Sequence, residues 1–301
     1  APAYTTDLRV SGAGGRRVME NARLAVDFHP SGQINAYRLK SARGDVPAFS
    51  NKHGAVHWNP DAATEKRQWI HTTNWDPPPK THVSADGPLL FRETRSGLLP
   101  GCEQVWCSVS YSFHPAVPWV RVATVMEIRD PAALAVLRNG EMVFDAPLFD
   151  RFAWKTAEGG VSTIRLPIPF KPGHTHNLEL PPDLPWIALY HAERGYGFAA
   201  VHLQAYAYHK EEGAATMYKP FFYLYSQPWA WGKGLTYFMR GPCYAWAQGD
   251  HGPSLPVSAG NVYVEEGIYS VFETPAGGDP LAPVAELERR VRHPLRVRQG
   301  T

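Results

Sequence analysis

The sequence predicts an all-β chain: a large antiparallel β-sandwich with one short C-terminal helix. Three observations lead there. Apolar and polar residues alternate with period two along most of the chain. Turn residues interrupt that alternation at short intervals, drawn from 28 prolines and 26 glycines. Helical periodicity is confined to one segment near the end. Many short strands punctuated by Gly and Pro make a sandwich or a barrel.

The elements follow in chain order. Leu24, Val26 and Phe28 point one way, Pro30-Ser31-Gly32 turns the chain, and residues 34–39 return as a second strand. Val105, Cys107, Val109, Tyr111 and Phe113 alternate with Trp106, Ser108, Ser110 and Ser112. After His114-Pro115, Val120, Val122, Thr124, Met126 and Ile128 alternate in the same way, so the two runs predict a half-buried strand pair. Further strands are expected over 161–166, 186–191, 197–203, 221–226, 235–240 and 263–272. The helix has Asp279 as its cap, Pro280 at its first position, Leu281, Val284, Leu287 and Val291 on one face, and Pro294 as its stop. With no linker, repeat or low-complexity tract, residues 1–301 are expected to form a single catalytic β-sandwich domain.

Bulk properties remove several function classes. The net charge is +2, with Lys and Arg scattered apart from Arg289, Arg290 and Arg292, so neither nucleic acid nor an acidic membrane surface is an expected partner. No apolar stretch is long enough to span a bilayer as a helix. The chain opens Ala1-Pro2-Ala3, which suits a mature secreted protein, extracellular or periplasmic. Cys102, Cys107 and Cys243 match no zinc or redox spacing. They are expected as buried small hydrophobes, with one disulfide as the alternative.

Three features carry candidate chemistry. The first lies in 51–82, the least regular stretch, where His53, His57, Trp58, His71 and Trp75 concentrate. Histidine exchanges protons near neutral pH, and indole faces stack on sugar rings. Aromatics plugging one end of a sandwich are the structural alternative. No cofactor is expected, although His53, His57 and His71 with Asp61 or Asp76 hold the right atoms for a metal. The second feature is a strand on which His202, Gln204, Tyr206 and Tyr208 would share one face, with His209 at its end. Such a polar row suits a groove floor better than a dry core. The third is 218–246, with Tyr223 and Tyr225 on one strand face, Trp229 and Trp231 at a turn, and Arg240 ending the return strand. There Arg240 either grips a substrate carboxylate in two parallel bonds or forms a structural ion pair.

The layout of residues 18–275 resembles the galactose-mutarotase-like β-supersandwich proteins. The likeness rests on the strand 20–28 with its Gly-containing turn, on Tyr237-Phe238-Met239-Arg240, and on the late run 260–269. The resemblance implies a carbohydrate-active enzyme, since that group contains sugar 1-epimerases, domains of glycoside hydrolases and domains of polysaccharide lyases. Its lyases imply histidine or tyrosine as base and acid, with arginine or asparagine neutralising a uronate carboxylate. On this chain that makes His209 or Tyr223 the base, Arg240 the neutraliser and His53 or His71 the acid. His57, Trp58, Trp75, Tyr208, Tyr225, Trp229 and Trp231 are the expected sugar contacts. The first expectation is therefore a lyase acting on a uronate-containing oligosaccharide or polysaccharide by β-elimination. A hydrolase or epimerase is the second expectation. Asp76, Asp145, Asp150, Glu211 and Glu265 are its available carboxylates, and none forms an evident pair. A non-catalytic sugar-binding protein is the third.

Overall fold

A computed structural model describes residues 5–12, 16–41, 44, 46–64, 68–168, 177–213, 215–217, 220–227, 234–244 and 254–292. The period-two runs become strands of one antiparallel ten-stranded sheet. Its centre runs Trp186–His191, Tyr196–His209, Asn261–Glu273, Trp119–Ile128 and Cys102–Phe113. Arg151–Lys155 and Val161–Arg165 extend one side, and Phe91–Leu99 and Lys80–Asp86 the other. The predicted pair registers Val105 with Ile128 and Phe113 with Val120.

Three smaller sheets complete the strand structure. The early hairpin joins a five-stranded sheet with Arg9–Ser11, Val18–Glu20 and Phe49–Ser50. Gly140–Asp145, Leu235–Gly241, Phe221–Gln227 and Asn177–Leu180 form a second. Ala132–Arg138, Asp61–Thr64 and Trp69–His71 form the spine of a third. The stretch expected to be irregular thus carries two short strands of its own.

Alternation assigns each face of the large sheet a different cover. Tyr111, Phe198, Ala200 and Tyr269 point inward, where they meet Val26 and Tyr37 of the five-stranded sheet and Phe144, Leu224 and Phe238 of the four-stranded one. Their neighbours Ala199, Val201 and Ile268 point outward and pack beneath Leu281, Val284 and Leu287. Those three belong to the helix region, and the helix itself spans Ala282–Arg292. As expected, Asp279 caps it, accepting the Leu281 N–H at 2.9 Å. Glu288 then pins the helix to the sheet by accepting from Lys155 Nζ at 2.8 Å and Trp186 Nε1 at 3.0 Å. Among the described residues no helix is long and apolar enough to cross a membrane. Cys102 and Cys107 are free, buried thiols; the Cys243 side chain lies outside the described residues.

Candidate functional site

Two polar centres lie inside this frame. The first is built by the small sheet whose strands include Asp61–Thr64 and Trp69–His71. Asp61 and His71 are directly paired in that hairpin, so their side chains meet. His71 Nδ1 lies 2.7 Å from Asp61 Oδ2. Arg138, registered against Asp61 on the neighbouring strand, donates Nε–H to Asp61 Oδ1 at 2.7 Å. It also pairs with Asp61 Oδ2, and with Glu141 Oε2 at 2.6 Å. Asn59 adds a 3.2 Å hydrogen bond to Asp61 Oδ1. Asp61, Arg138 and Glu141 are buried, whereas His71 keeps 14% of its side chain exposed. Two indoles bracket the imidazole: Trp69 stacks parallel to it at 6.2 Å, and Trp58 meets it edge-on at 5.0 Å. The Arg138 guanidinium lies 4.1 Å above the Trp69 ring.

Electrostatics divides the two carboxyls. Burial works against charge on Asp61, but Arg138 and then His71 outweigh it and hold its pKa below the ordinary value. Glu141 goes the other way. Burial dominates, the Asp61 carboxylate adds to it, and the pull of Arg138 is insufficient, so its pKa lies well above the carboxylate range. The two carboxyls are therefore pushed apart in acidity, Glu141 toward its neutral form and Asp61 toward its ionised form. Donor atoms of Asp61, His71 and Glu141 fall within 4.8 Å of one another, a grouping that excludes His53 and His57. Arg138 already supplies positive charge to both carboxyls, the task a cation would perform there. The arrangement orients one imidazole at a partly open edge, with Nδ1 engaged and Nε2 the remaining nitrogen for proton transfer.

The second centre lies in the interior, between the large sheet and the strand Leu235–Gly241. Arg240 Nε donates to Glu265 at 2.7 Å, with both residues buried. His57, His202 and Tyr269 surround the pair and are also buried. His57 sits beside Met142 because segment 55–58 runs along Gly140–Asp145. Its Nδ1 lies 2.7 Å from Tyr111 Oη. Tyr111 donates to Gln33 at 2.6 Å, and Gln33 donates to Thr72 at 2.9 Å. Burial, with Arg240 close by, lowers the pKa of both His57 and His202 to about 3.

The residues singled out from sequence are distributed over these regions and beyond. His71 and Trp58 meet at the first centre, and Trp58 packs with Tyr225, Val143 and Leu235. His57 and Arg240 meet at the second. Trp75 is buried and donates to the Leu98 carbonyl at 2.9 Å. His53 follows a turn in which its N–H binds Asn51 Oδ1 at 2.8 Å. His209 places Nε2 3.0 Å from the Ala259 carbonyl, over Gly260. Tyr208 is half-buried and stacks with Tyr206 at 6.4 Å. The expected single face does not form. His202 continues the inward set of Phe198 and Ala200, and a bulge between His202 and Gln204 sends Gln204 to the other face, where it is exposed and donates to Glu266 at 2.9 Å. Tyr223 lies on the strand Phe221–Gln227, opposite Met239; its side chain, with Trp229 and Trp231, lies outside the described residues. Sequence reasoning missed Arg138 and Glu141. Their signal was two charges embedded in the apolar run 134–144.

Neither a protein-family model nor a curated protein sequence matches the chain. Solved structures do. The galactosidase domain of the α-galactosidase–sucrose kinase AgaSK aligns with a TM-score of 0.54 at 11% identity, over 88% of this chain and 42% of its own. What is shared is the fold, an antiparallel β-sandwich. A TPR-domain containing protein from Parabacteroides distasonis ATCC 8503 aligns with a TM-score of 0.54 at 11% identity, over 94% of this chain and 49% of its own. The chain spans less than half the length of each of these proteins. At such identities the likeness defines the architecture, a supersandwich that a carbohydrate enzyme also uses.

Proposed function

We propose that the chain is a secreted carbohydrate-active enzyme in which His71 transfers the proton, and that its reaction is β-elimination on a uronate-containing glycan. One observation carries this reading: an imidazole held by a buried carboxylate, set between two indoles, at a partly open edge. A retaining or inverting hydrolase needs two carboxyls in contact with the sugar. Asp61 and Glu141 are enclosed behind His71, which favours a reaction run by one positioned base. In elimination, His71 Nε2 takes the proton beside the uronate carboxylate, the freed C–H electron pair forms a ring C=C bond as the bond to the neighbouring glycosidic oxygen breaks, and that oxygen takes a proton from the His71 imidazolium or from water. Trp58 and Tyr225 offer the adjoining apolar surface for a sugar ring.

Anomeric epimerisation is the second reading, since proton transfer by the same Asp61-held imidazole of His71 also serves exchange at an anomeric carbon. A panel of uronate-containing and neutral glycans separates the two. Elimination yields an ultraviolet-absorbing unsaturated uronate with no gain of water by mass. Anomeric exchange without cleavage replaces the first reading by the second. Products heavier by one water overturn both, as does binding without turnover across the panel.

A further inference from the structure

The interior centre contains polar atoms that no side chain answers. Nε2 of His57 and Nδ1 of His202 are buried and have no hydrogen-bonding partner among the described residues, and both rings lie near enough to Arg240 to feel its charge. The chain of bonds on the other side of His57 fixes the character of its free nitrogen. Tyr111 has one hydroxyl proton, and it goes to Gln33 Oε1. The 2.7 Å contact between Tyr111 Oη and His57 Nδ1 must then take its proton from the ring. With Nδ1 protonated and the ring neutral, Nε2 is a bare lone pair. Tyr269 supplies the converse. Its Oη lies beside the Arg240 guanidinium, and its O–H has no acceptor among the described residues.

The chemistry of a fitting guest follows by elimination. An anion has no proton to give His57 Nε2. A cation is repelled by Arg240. A hydroxyl group both donates and accepts, and so satisfies both atoms. Backbone on two sides fixes the guanidinium. A Cβ on Gly140 would stand 3.0 Å from Arg240 Cζ, and one on Gly267 3.2 Å from Arg240 Nη2. Glycine at both positions lets Arg240 lie directly against the four-stranded sheet and the large sheet.

We propose that His57, His202, Tyr269 and Arg240 form an interior binding site for a hydroxyl group, which donates to His57 Nε2 and accepts from Tyr269 Oη. This site stands independently of any role for His71. Two sources carry that chemistry: an ordered water, and a hydroxyl of a saccharide that reaches the interior.

The test uses the full chain labelled with 15N and followed by histidine side-chain NMR, first alone and then titrated with galactose and with glucuronate. The expected result is a neutral His57 protonated on Nδ1, with a hydroxylic proton in contact with its ring. A water cross-peak indifferent to sugar identifies water as the guest. Saturable shifts of His57 and His202 on adding sugar identify the saccharide. Tyr269→Phe keeps the ring and removes the donor, and should abolish the water contact or weaken sugar binding by about tenfold. Three results overturn the proposal: His57 protonated on Nε2, a bare Nε2 touched by neither water nor sugar, or a Tyr269→Phe protein whose guest contact is unchanged.

Discussion

The two polar centres are assembled on different principles. Around His71, charges answer charges: Arg138 serves two carboxyls, Asp61 serves an imidazole, and one edge stays partly open. Around Arg240, the ion pair with Glu265 lies among His57, His202 and Tyr269, and all five residues are buried. The difference teaches where reactivity and where rigidity should be sought. At the first, Asp61 holds an imidazole at a partly open edge. At the second, a buried ion pair joins the strand Leu235–Gly241 to the large sheet, beside histidine nitrogens that have no partner among the described residues.

The largest effect should come from breaking the charged centre. Arg138→Met leaves Asp61 and Glu141 facing each other without their cation, and should cost about 3–5 kcal/mol in urea unfolding. A loss below about 1 kcal/mol would mean that the carboxyls are answered by something else. Acid should then distinguish the neutral centre. His57 and His202 have folded pKa values of about 3 against 6.5 for the free side chain. Below 6.5 the unfolded chain therefore binds more protons than the folded one, and stability falls as pH drops from about 6.5 toward 3. Each histidine contributes about 1.4 kcal/mol per pH unit at most. Replacing both with Gln should flatten that slope, and an unchanged slope would contradict the account.

Smaller effects sharpen the boundary between the centres. Gln33→Leu strands the Tyr111 hydroxyl and releases Thr72, the residue after His71, at a cost of about 1–3 kcal/mol. That variant tests whether the interior chain steadies the outer strand. Trp69→Leu removes the ring beneath Arg138 and should cost about 1 kcal/mol of stability. Its effect on glycan affinity measures whether the stacked indole also shapes the open edge.

Local patterns in the sequence carried the fold further than the site. Alternation at 105–113 and 120–128 specified the observed hairpin, because burying one face forces that register. Capping chemistry at Asp279 and Pro280 announced the helix. Gln204 parted from the face of His202 because a bulge is a property of two strands, and only one is visible in a local run. The site was legible in part. His71 and Trp58 stood out by type, as did Arg240 with its alternative ion-pair reading. Their partners did not, because Arg138 lies 77 residues from Asp61 and Glu265 lies 25 from Arg240. Pairings across such separations are created by sheet topology, which residue types alone do not encode.

The reading of the open edge stands or falls on one paired measurement: turnover and unfolding free energy of His71→Ala, on whichever glycan the panel identifies. The account predicts a fall in kcat/KM of at least about a hundredfold, in a protein that still folds at a cost of about 1–3 kcal/mol, because Asp61 loses one of its partners. Undiminished turnover in a folded His71→Ala protein would contradict it.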